Sequence, residues 1–377
     1  MTPANCFRLC SGAPAFLTAL RDDLRACHTS LCVQFSTFEG DASGEQFAAL
    51  LIECAEAGVS VQLVLDHYSD FVADDVLPVH LARRSDLRAE RTRTRVLLDR
   101  MVASGIQLRR TAPLGSMARY MLYRDHKKLI VVDGRVGYLG GINVSDHNFA
   151  WNDFMVRVEG PVVEDLARDF ASTWNGRRIR LAAPPVPGDY LVNQAAGRPA
   201  VLDETLRLVD GARESIFLET PSLLGHRIER ALLDAADRGV RVTVVVPAQH
   251  NRWIFRVWSR KTMLEIRHPN ISVQGYRGCG AMTHAKLLIV DGRRAAIGSA
   301  NLFALEAMTQ KELCLFTDDT RLVEELRGQA AVDALHSAPL DPPRSSVGRF
   351  SYSVLELAVD AWTRRLLRKP EWRNGYA

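Results

Sequence analysis

The sequence predicts an α/β protein of two similar halves related by a pseudo-twofold, each a mostly parallel mixed sheet flanked by helices. Three observations predict it. A helix-end-plus-strand segment is duplicated. A second segment carrying a His-x-Lys pair is duplicated in the same order. The chain, at 377 residues, is also long enough for two cores rather than one.

The first duplication is Ala55-Glu-Ala-Gly-Val-Ser-Val-Gln-Leu-Val-Leu-Asp66, which returns as Ala236-Asp-Arg-Gly-Val-Arg-Val-Thr-Val-Val-Val-Pro247. Each reads as a helix end, a glycine stop and a buried strand. Another strand and helix precede each copy, with Leu31–Phe38 and Ser215–Thr220 as the strands. Strand–helix–strand, twice over, argues α/β layers with parallel pairing. The second duplication is His126-Lys-Lys-Leu-Ile-Val-Val-Asp133-Gly, matched by His284-Ala-Lys-Leu-Leu-Ile-Val-Asp291-Gly. The two duplications are offset by 181 and 158 residues, a difference of 23, which predicts a helical insertion within about 67–125 of the first half. The expected boundaries are 1–180 for the first half, 181–345 for the second and 346–377 for an amphipathic basic tail. Arg180–Gly188, with Pro184, Pro185 and Pro187 and with Pro199 shortly after, reads as the linker.

Hydrophobic residues make up 47% and charged residues 24%, which excludes a disordered chain. A formal net charge of +4 suits a nucleic acid, an anionic membrane or a small phosphate ester without choosing among them. No apolar run reaches membrane-spanning length, and Met1–Arg21 lacks the character of a secretory signal. Cys6, Cys10, Cys27, Cys32, Cys54, Cys279 and Cys314 have no metal-like spacing and read as reduced thiols. Cys279, five residues before His284, could border the site.

In an extended strand, residues two apart share a face, so His126 lies beside Lys128 and His284 beside Lys286. Asp133-Gly134 and Asp291-Gly292 are hairpin-turn signals. The return strands end in Gly140-Gly141-Ile142-Asn143 and Gly298-Ser299-Ala300-Asn301, with seventeen residues from histidine to asparagine in both copies. An acidic residue follows each, Asp153 behind the first set and Glu312 behind the second. A neutral imidazole can attack phosphorus, and an imidazolium can protonate a leaving alkoxide. Lys128, Lys286, Asn143 and Asn301 offer charge and amide donors to non-bridging phosphate oxygens. A carboxylate on the second ring nitrogen, from Asp153 or Glu312, would fix each tautomer. No residue cluster suggests a metal or other cofactor, so the lysines would supply the positive charge. Asp133 and Asp291 belong to the motif, and their turn positions also suit a structural role.

With these residues in view, the chain resembles the phospholipase D superfamily, whose mark is H-x-K-x4-D followed by G-G/S-x-N, twice per chain. Both copies match, at His126, Lys128, Asp133, Gly140, Gly141 and Asn143, and at His284, Lys286, Asp291, Gly298, Ser299 and Asn301. The resemblance implies two α/β halves with a catalytic set of His126, Lys128, Asp133, His284, Lys286 and Asp291 at their interface. It further implies His126 as nucleophile and His284 as general acid. Within the superfamily, Arg124–Asn143, Phe154–Pro161 and Trp174-Asn175 are most similar to bacterial cardiolipin synthases of the short type lacking transmembrane helices. That similarity implies a phosphatidyl transferase that moves a phosphatidyl group, held on His126, to phosphatidylglycerol. One departure stands out. After Asn301 the family carries Asp-x-x-Ser, and here Phe303 and Glu306 occupy those places, which leaves the acceptor open.

A lipid substrate predicts peripheral contact with the inner, cytoplasmic face of a bacterial cell membrane. Ser351–Lys369 reads as an amphipathic helix ending in Arg364, Arg365, Arg368 and Lys369. It either lies on an anionic membrane surface or docks on the protein with Glu356 and Asp360 early and its cations late, as the helix dipole prefers. Arg252–Lys261 mixes Trp253, Phe255 and Trp258 with four cations, which suits a membrane interface or a single-stranded nucleic acid. Arg83–Arg100 holds seven arginines against three acids, the pattern of a solvated face. The alternative functions are a phospholipase D-type hydrolase and a superfamily nuclease or phosphodiesterase. The modest net charge weighs against nucleic acid. A non-catalytic lipid-binding relative is expected only where a motif is broken, and neither is. Oligomeric state is not read from the sequence.

Overall fold

Short connections decide which strands of this molecule run antiparallel. The computed structural model describes residues 4–70, 85–113, 122–177, 179–181, 188–224, 226–251, 262–263, 265–279 and 282–340. The expected basic tail, the aromatic–basic Arg252–Lys261 segment and most of the proline-rich linker lie outside the described residues.

The first half contributes β1 (Cys6–Ser11), α1 (Gly12–Arg25), β2 (Ser30–Phe35), α2 (Ala42–Glu56), β3 (Ser60–Asp66), α3 (Ser85–Ala103), β4 (Gln107–Thr111), β5 (Leu129–Val132), β6 (Val136–Gly140), α4 (Asp146–Ala150), β7 (Phe154–Glu159) and α5 (Val162–Trp174). Its seven strands lie in the order β1-β7-β6-β5-β2-β3-β4. The second half follows with β8 (Tyr190–Gln194), α6 (Ala200–Asp210), β9 (Ser215–Glu219), β10 (Leu223–Leu224), α7 (His226–Asp237), β11 (Arg241–Pro247), β12 (Ile271–Tyr276), β13 (Leu287–Val290), β14 (Arg294–Gly298), β15 (Leu302–Phe303), α8 (Ala304–Thr309), β16 (Glu312–Thr317), α9 (Thr320–Leu335) and β17 (Ser337–Pro339). Read from the other edge, its order is β8-β16-β14-β13-β9-β11-β12-β17, the same path with one strand added.

Both sheets are mixed, but they are not mostly parallel. Among the described residues of these two sheets, only β2-β3-β4 and β9-β11-β12 pair in parallel, while β1, β5, β6 and β7 and their counterparts are antiparallel. β10 and β15 form a separate parallel pair. The reason lies in the connections. Helical crossovers such as α2 return the chain in the same direction, whereas the two-residue Asp-Gly turns can only reverse it. Asp133 and Gly134 both take positive φ, 51° and 64°, as do Asp291 and Gly292 at 53° and 62°, the twist such a hairpin needs. The insertion expected within 67–125 is also not wholly extra. It contains α3, but also β4, the counterpart of β12 and a full member of the sheet.

Alternation along the central strands builds three cores. Ile130 and Val132 face the first-half helices, and Leu288 and Val290 face those of the second half. Leu129 and Val131 point the other way, as do Leu287 and Ile289. They meet in one shared core with Leu166 and Phe170 of α5 and Leu322 and Leu326 of α9. The halves are therefore joined by apolar burial on the inner face of both sheets. The same face carries the buried pair Lys127–Asp169 at 2.6 Å. Arginines 88, 91 and 95 of α3 are exposed, while Leu87, Leu97, Leu98 and Met101 pack inward, as expected of a solvated face.

Candidate active site

Each His-x-Lys segment leaves its own sheet just before the strand begins and reaches into the other half. His126, Lys127 and Lys128 precede β5 rather than lying in it. Asp125 forms a bridge with Lys311, and the His126 N–H donates to Lys311 O at 2.9 Å. In the second copy Thr283 bridges Asn152, and the His284 N–H donates to Asn152 O at 2.7 Å. Alternation still holds across the segment. Lys128 and Lys286 are buried beside their histidines, and each ammonium donates to its own histidine's carbonyl.

The crossing changes which acid serves which histidine. Asp153 and Glu312 were expected behind the histidine of their own copy. Instead His126 Nδ1 lies 3.1 Å from Glu312 Oε1, and His284 Nδ1 lies 2.6 Å from Asp153 Oδ2. The physical reason is register. Asp153 and Glu312 immediately follow Asn152 and Lys311, the residues that bridge to the opposite motif. His126 also meets the second half's glycine-rich loop. His126 Nδ1 is 3.1 Å from Ser299 O. A Cβ on Gly141 would fall 2.2 Å from Asp153 Oδ1, so only glycine lets that loop pass the carboxylate.

Burial sets the charge states. His126 is held well below the ordinary imidazole value, first by desolvation and then by the Lys128 charge, so it is neutral near pH 7. Burial pushes Glu312 up to about 8 and Asp153 up to about 6, against the pull of Lys128 and Lys286. Lys128 is lowered to about 7 by burial and by Lys286, and Lys286 is lowered as well. The Ser299 carbonyl beside His126 Nδ1 can only accept, so the neutral ring carries its proton on Nδ1 and keeps its lone pair on Nε2, the atom available to phosphorus. Perturbed values converge here because two lysines and two carboxyls are buried together beside His126.

The remaining expected residues are placed as follows. Asn143 is buried, accepts from the Thr37 N–H at 3.2 Å and donates toward Asn148 at 3.4 Å. Asn301 donates its amide N–H to Glu306 at 2.8 Å. Asp133 and Asp291, which the motif groups with the catalytic set, stand at the far ends of β5 and β13. The Asp133 carboxylate accepts from the backbone N–H groups of His28, Thr29 and Ser30, each at 2.9 Å. Asp291 does the same for Arg213, Glu214 and Ser215. Those amides hold both carboxyls below the usual range. They are turn residues, separated from the histidines by the length of a strand.

Some neighbours escaped the sequence. The Trp151 ring lies 5.4 Å from the His284 ring and 4.8 Å from that of His147. Gln310 holds the equivalent place before Lys311-Glu312, so the repeat carries no signal for an aromatic. Ser299 Oγ donates to Glu312 Oε2 at 2.5 Å, where Gly141 offers no side chain. Cys279 is exposed, its N–H donating to the Tyr276 hydroxyl at 3.2 Å.

Comparison with known proteins gives the family. The family described as "Cardiolipin synthase, PLD-like domain" matches residues 20–174 and 205–332. "Probable cardiolipin synthase YwiE" of Bacillus subtilis is 24% identical over 90% of this chain and 67% of its own length. "Cardiolipin synthase A" of Pseudomonas syringae is 26% identical over 84% of this chain and 65% of its own length. The chain thus spans about two thirds of these curated relatives. The crystal structure of a phosphatidylserine synthase from Haemophilus influenzae superimposes with a TM-score of 0.67 at 12% identity, covering 95% of this chain and 94% of that one, which shows a common fold. The duplicated motifs, the mixed sheets and the family match over both halves agree, and the chain belongs to the phospholipase D-like cardiolipin synthase family.

Proposed function

We propose that this protein transfers phosphatidyl groups in phospholipid synthesis, with cardiolipin formation from phosphatidylglycerol as its reaction and no metal ion. The observation that carries the reading is the crossed pairing of His126 with Glu312 and His284 with Asp153 around two buried lysines. The cardiolipin synthases among its relatives support a lipid rather than a nucleic acid as substrate.

His126 Nε2 attacks the donor phosphorus, forming a P–N bond as the P–O bond to the headgroup breaks. His284 gives its proton to the leaving alkoxide. The acceptor hydroxyl then attacks, the P–N bond breaks, and the hydroxyl proton returns to His284. Lys128 and Lys286 neutralise the non-bridging oxygens, and Asn143, whose partner Asn148 is neutral, offers them its second amide N–H. Asp153 and Glu312 orient the rings. Asp133 and Asp291 hold the hairpin turns. No helix among the described residues is long and apolar enough to cross a membrane. The reading therefore includes peripheral contact with the inner face of the cell membrane through the basic amphipathic segments, which lie outside the described residues.

The test is to supply phosphatidylglycerol in mixed micelles. Cardiolipin and glycerol are expected, with activity retained in EDTA and lost in His126→Ala. Phosphatidic acid alone would make the protein a hydrolase. Cleavage of DNA or RNA without lipid turnover would make it a nuclease.

A further inference from the structure

Resting on that reading, we propose that Asn301 and Glu306 form a subsite for an acceptor hydroxyl adjacent to the one that attacks, selecting polyol acceptors. Glu306 stands five residues after Asn301, and Asn148 stands five residues after Asn143. The contact is the same in both halves, but its chemistry differs. Asn143 meets a neutral amide at 3.4 Å, and Asn301 meets a carboxylate at 2.8 Å.

Two consequences follow for what can bind there. One of the two Asn301 amide N–H donors expected to hold a phosphate oxygen is engaged by Glu306. Its Oδ1 is buried with no hydrogen-bond partner among the described residues. A carboxylate and an orphaned carbonyl oxygen together accept hydrogen bonds and repel anions. Glu306 is held by Asn301, two residues after Ser299, whose carbonyl oxygen lies 3.1 Å from His126 Nδ1, and its charge acts on His126, Lys128 and Lys286. The group suited to this corner is an uncharged hydrogen-bond donor beside the phosphorus held by His126. In the second step one acceptor hydroxyl forms the new P–O bond and gives its proton to His284, while its neighbour donates to Glu306. A glycerol headgroup has that arrangement, and a monohydric alcohol lacks the second donor.

The experiment is a competition on the full chain. Phosphatidylglycerol in mixed micelles is offered equal concentrations of 1,2-propanediol and 1-propanol, and the two transfer products are measured by mass spectrometry. The native enzyme is expected to favour the diol by roughly tenfold or more, the scale of one hydrogen bond to a charged group and above the statistical factor of about two. Glu306→Gln should bring the ratio close to that statistical factor, and Glu306→Asp should keep most of it. A product ratio does not depend on how much enzyme is folded. A native ratio at the statistical factor, or one that Glu306→Gln leaves unchanged, overturns the subsite while phosphatidyl transfer stands. Absence of transfer products removes the transferase reading and the subsite with it.

Discussion

The surroundings of His126 and His284 differ although their scaffolds repeat strand for strand. Each ring bonds a carboxyl from the opposite half, but the second-half loop adds Ser299 and Glu306 around His126, and the first-half loop has Gly141 and Asn148 in those places. His284 instead has Trp151 against its ring. The difference teaches that duplication supplied two identical imidazoles and that their neighbours set them apart. The crossing also means neither half holds a complete site, so the shared core is a condition for catalysis.

The largest effect breaks the comparison outright. His126→Ala and His284→Ala should each lower transfer from a natural donor by about 10³-fold or more. They should part when the leaving group is p-nitrophenol, which needs no proton. His284→Ala should then release a stoichiometric burst and stall at the phosphatidyl-histidine, while His126→Ala gives none. Labelled phosphate found on His284 would reverse the roles.

Next in size is the pair of loop residues. Gly141→Ala places a Cβ 2.2 Å from Asp153 Oδ1. That carboxyl is tied to the Phe154 N–H at 2.8 Å, so it cannot swing away freely. Displacing the partner of His284 should cost roughly 10²-fold in kcat. Ser299→Ala removes one hydrogen bond to Glu312 and should cost about tenfold. Equal losses in the two variants would mean the loops are interchangeable.

The two acids should also separate in pH. Glu312 is raised to about 8 in the fold, so the native state holds its proton more tightly than the unfolded chain does. Its contribution to stability is complete below its unfolded value and is lost as pH rises through about 8. Asp153, raised to about 6, loses its contribution earlier. Relative to the native protein, Glu312→Gln should remove part of the decline in unfolding free energy up to about pH 8, and Asp153→Asn only the part below about pH 6. Urea denaturation at several pH values measures both.

Much of this was legible because the repeat is a repeat of chemistry. Two His-x-Lys segments and two Asp-Gly turns located the central hairpins and the histidines and buried lysines that meet the opposite half. Pairing across the halves was not legible. Asp153 follows Asn143 in the chain, and nothing local says that Asn152 bridges Thr283 and aims the carboxyl at His284. Strand direction failed for a related reason. The helix–strand repeats gave the parallel edge, while the share of hairpin strands depends on which neighbours β5 and β13 choose. Trp151 was invisible because the second copy has glutamine in its place.

The smallest effect on turnover is expected where the motif is most regular. Asp133 and Asp291 recur at identical spacing, which a sequence comparison ranks beside the histidines. Their carboxylates instead gather three backbone amides each at the start of β2 and β9. Replacing either by alanine strands those donors and removes an acceptor at a left-handed turn position, where φ is 51° or 53°. Asp133→Ala and Asp291→Ala should each lower unfolding free energy by about 1–3 kcal/mol. At 10 °C, where the variants stay folded, kcat should remain within about threefold of native, since no reacting atom has moved. Asparagine retains an acceptor and tolerates positive φ, so Asp133→Asn should recover part of the lost stability. A large fall in kcat with unchanged stability would place these carboxylates in the chemistry after all. Asp133→Ala should cost the more of the two, because the Thr29 hydroxyl also donates to Asp133 at 2.7 Å, where the second copy has Glu214.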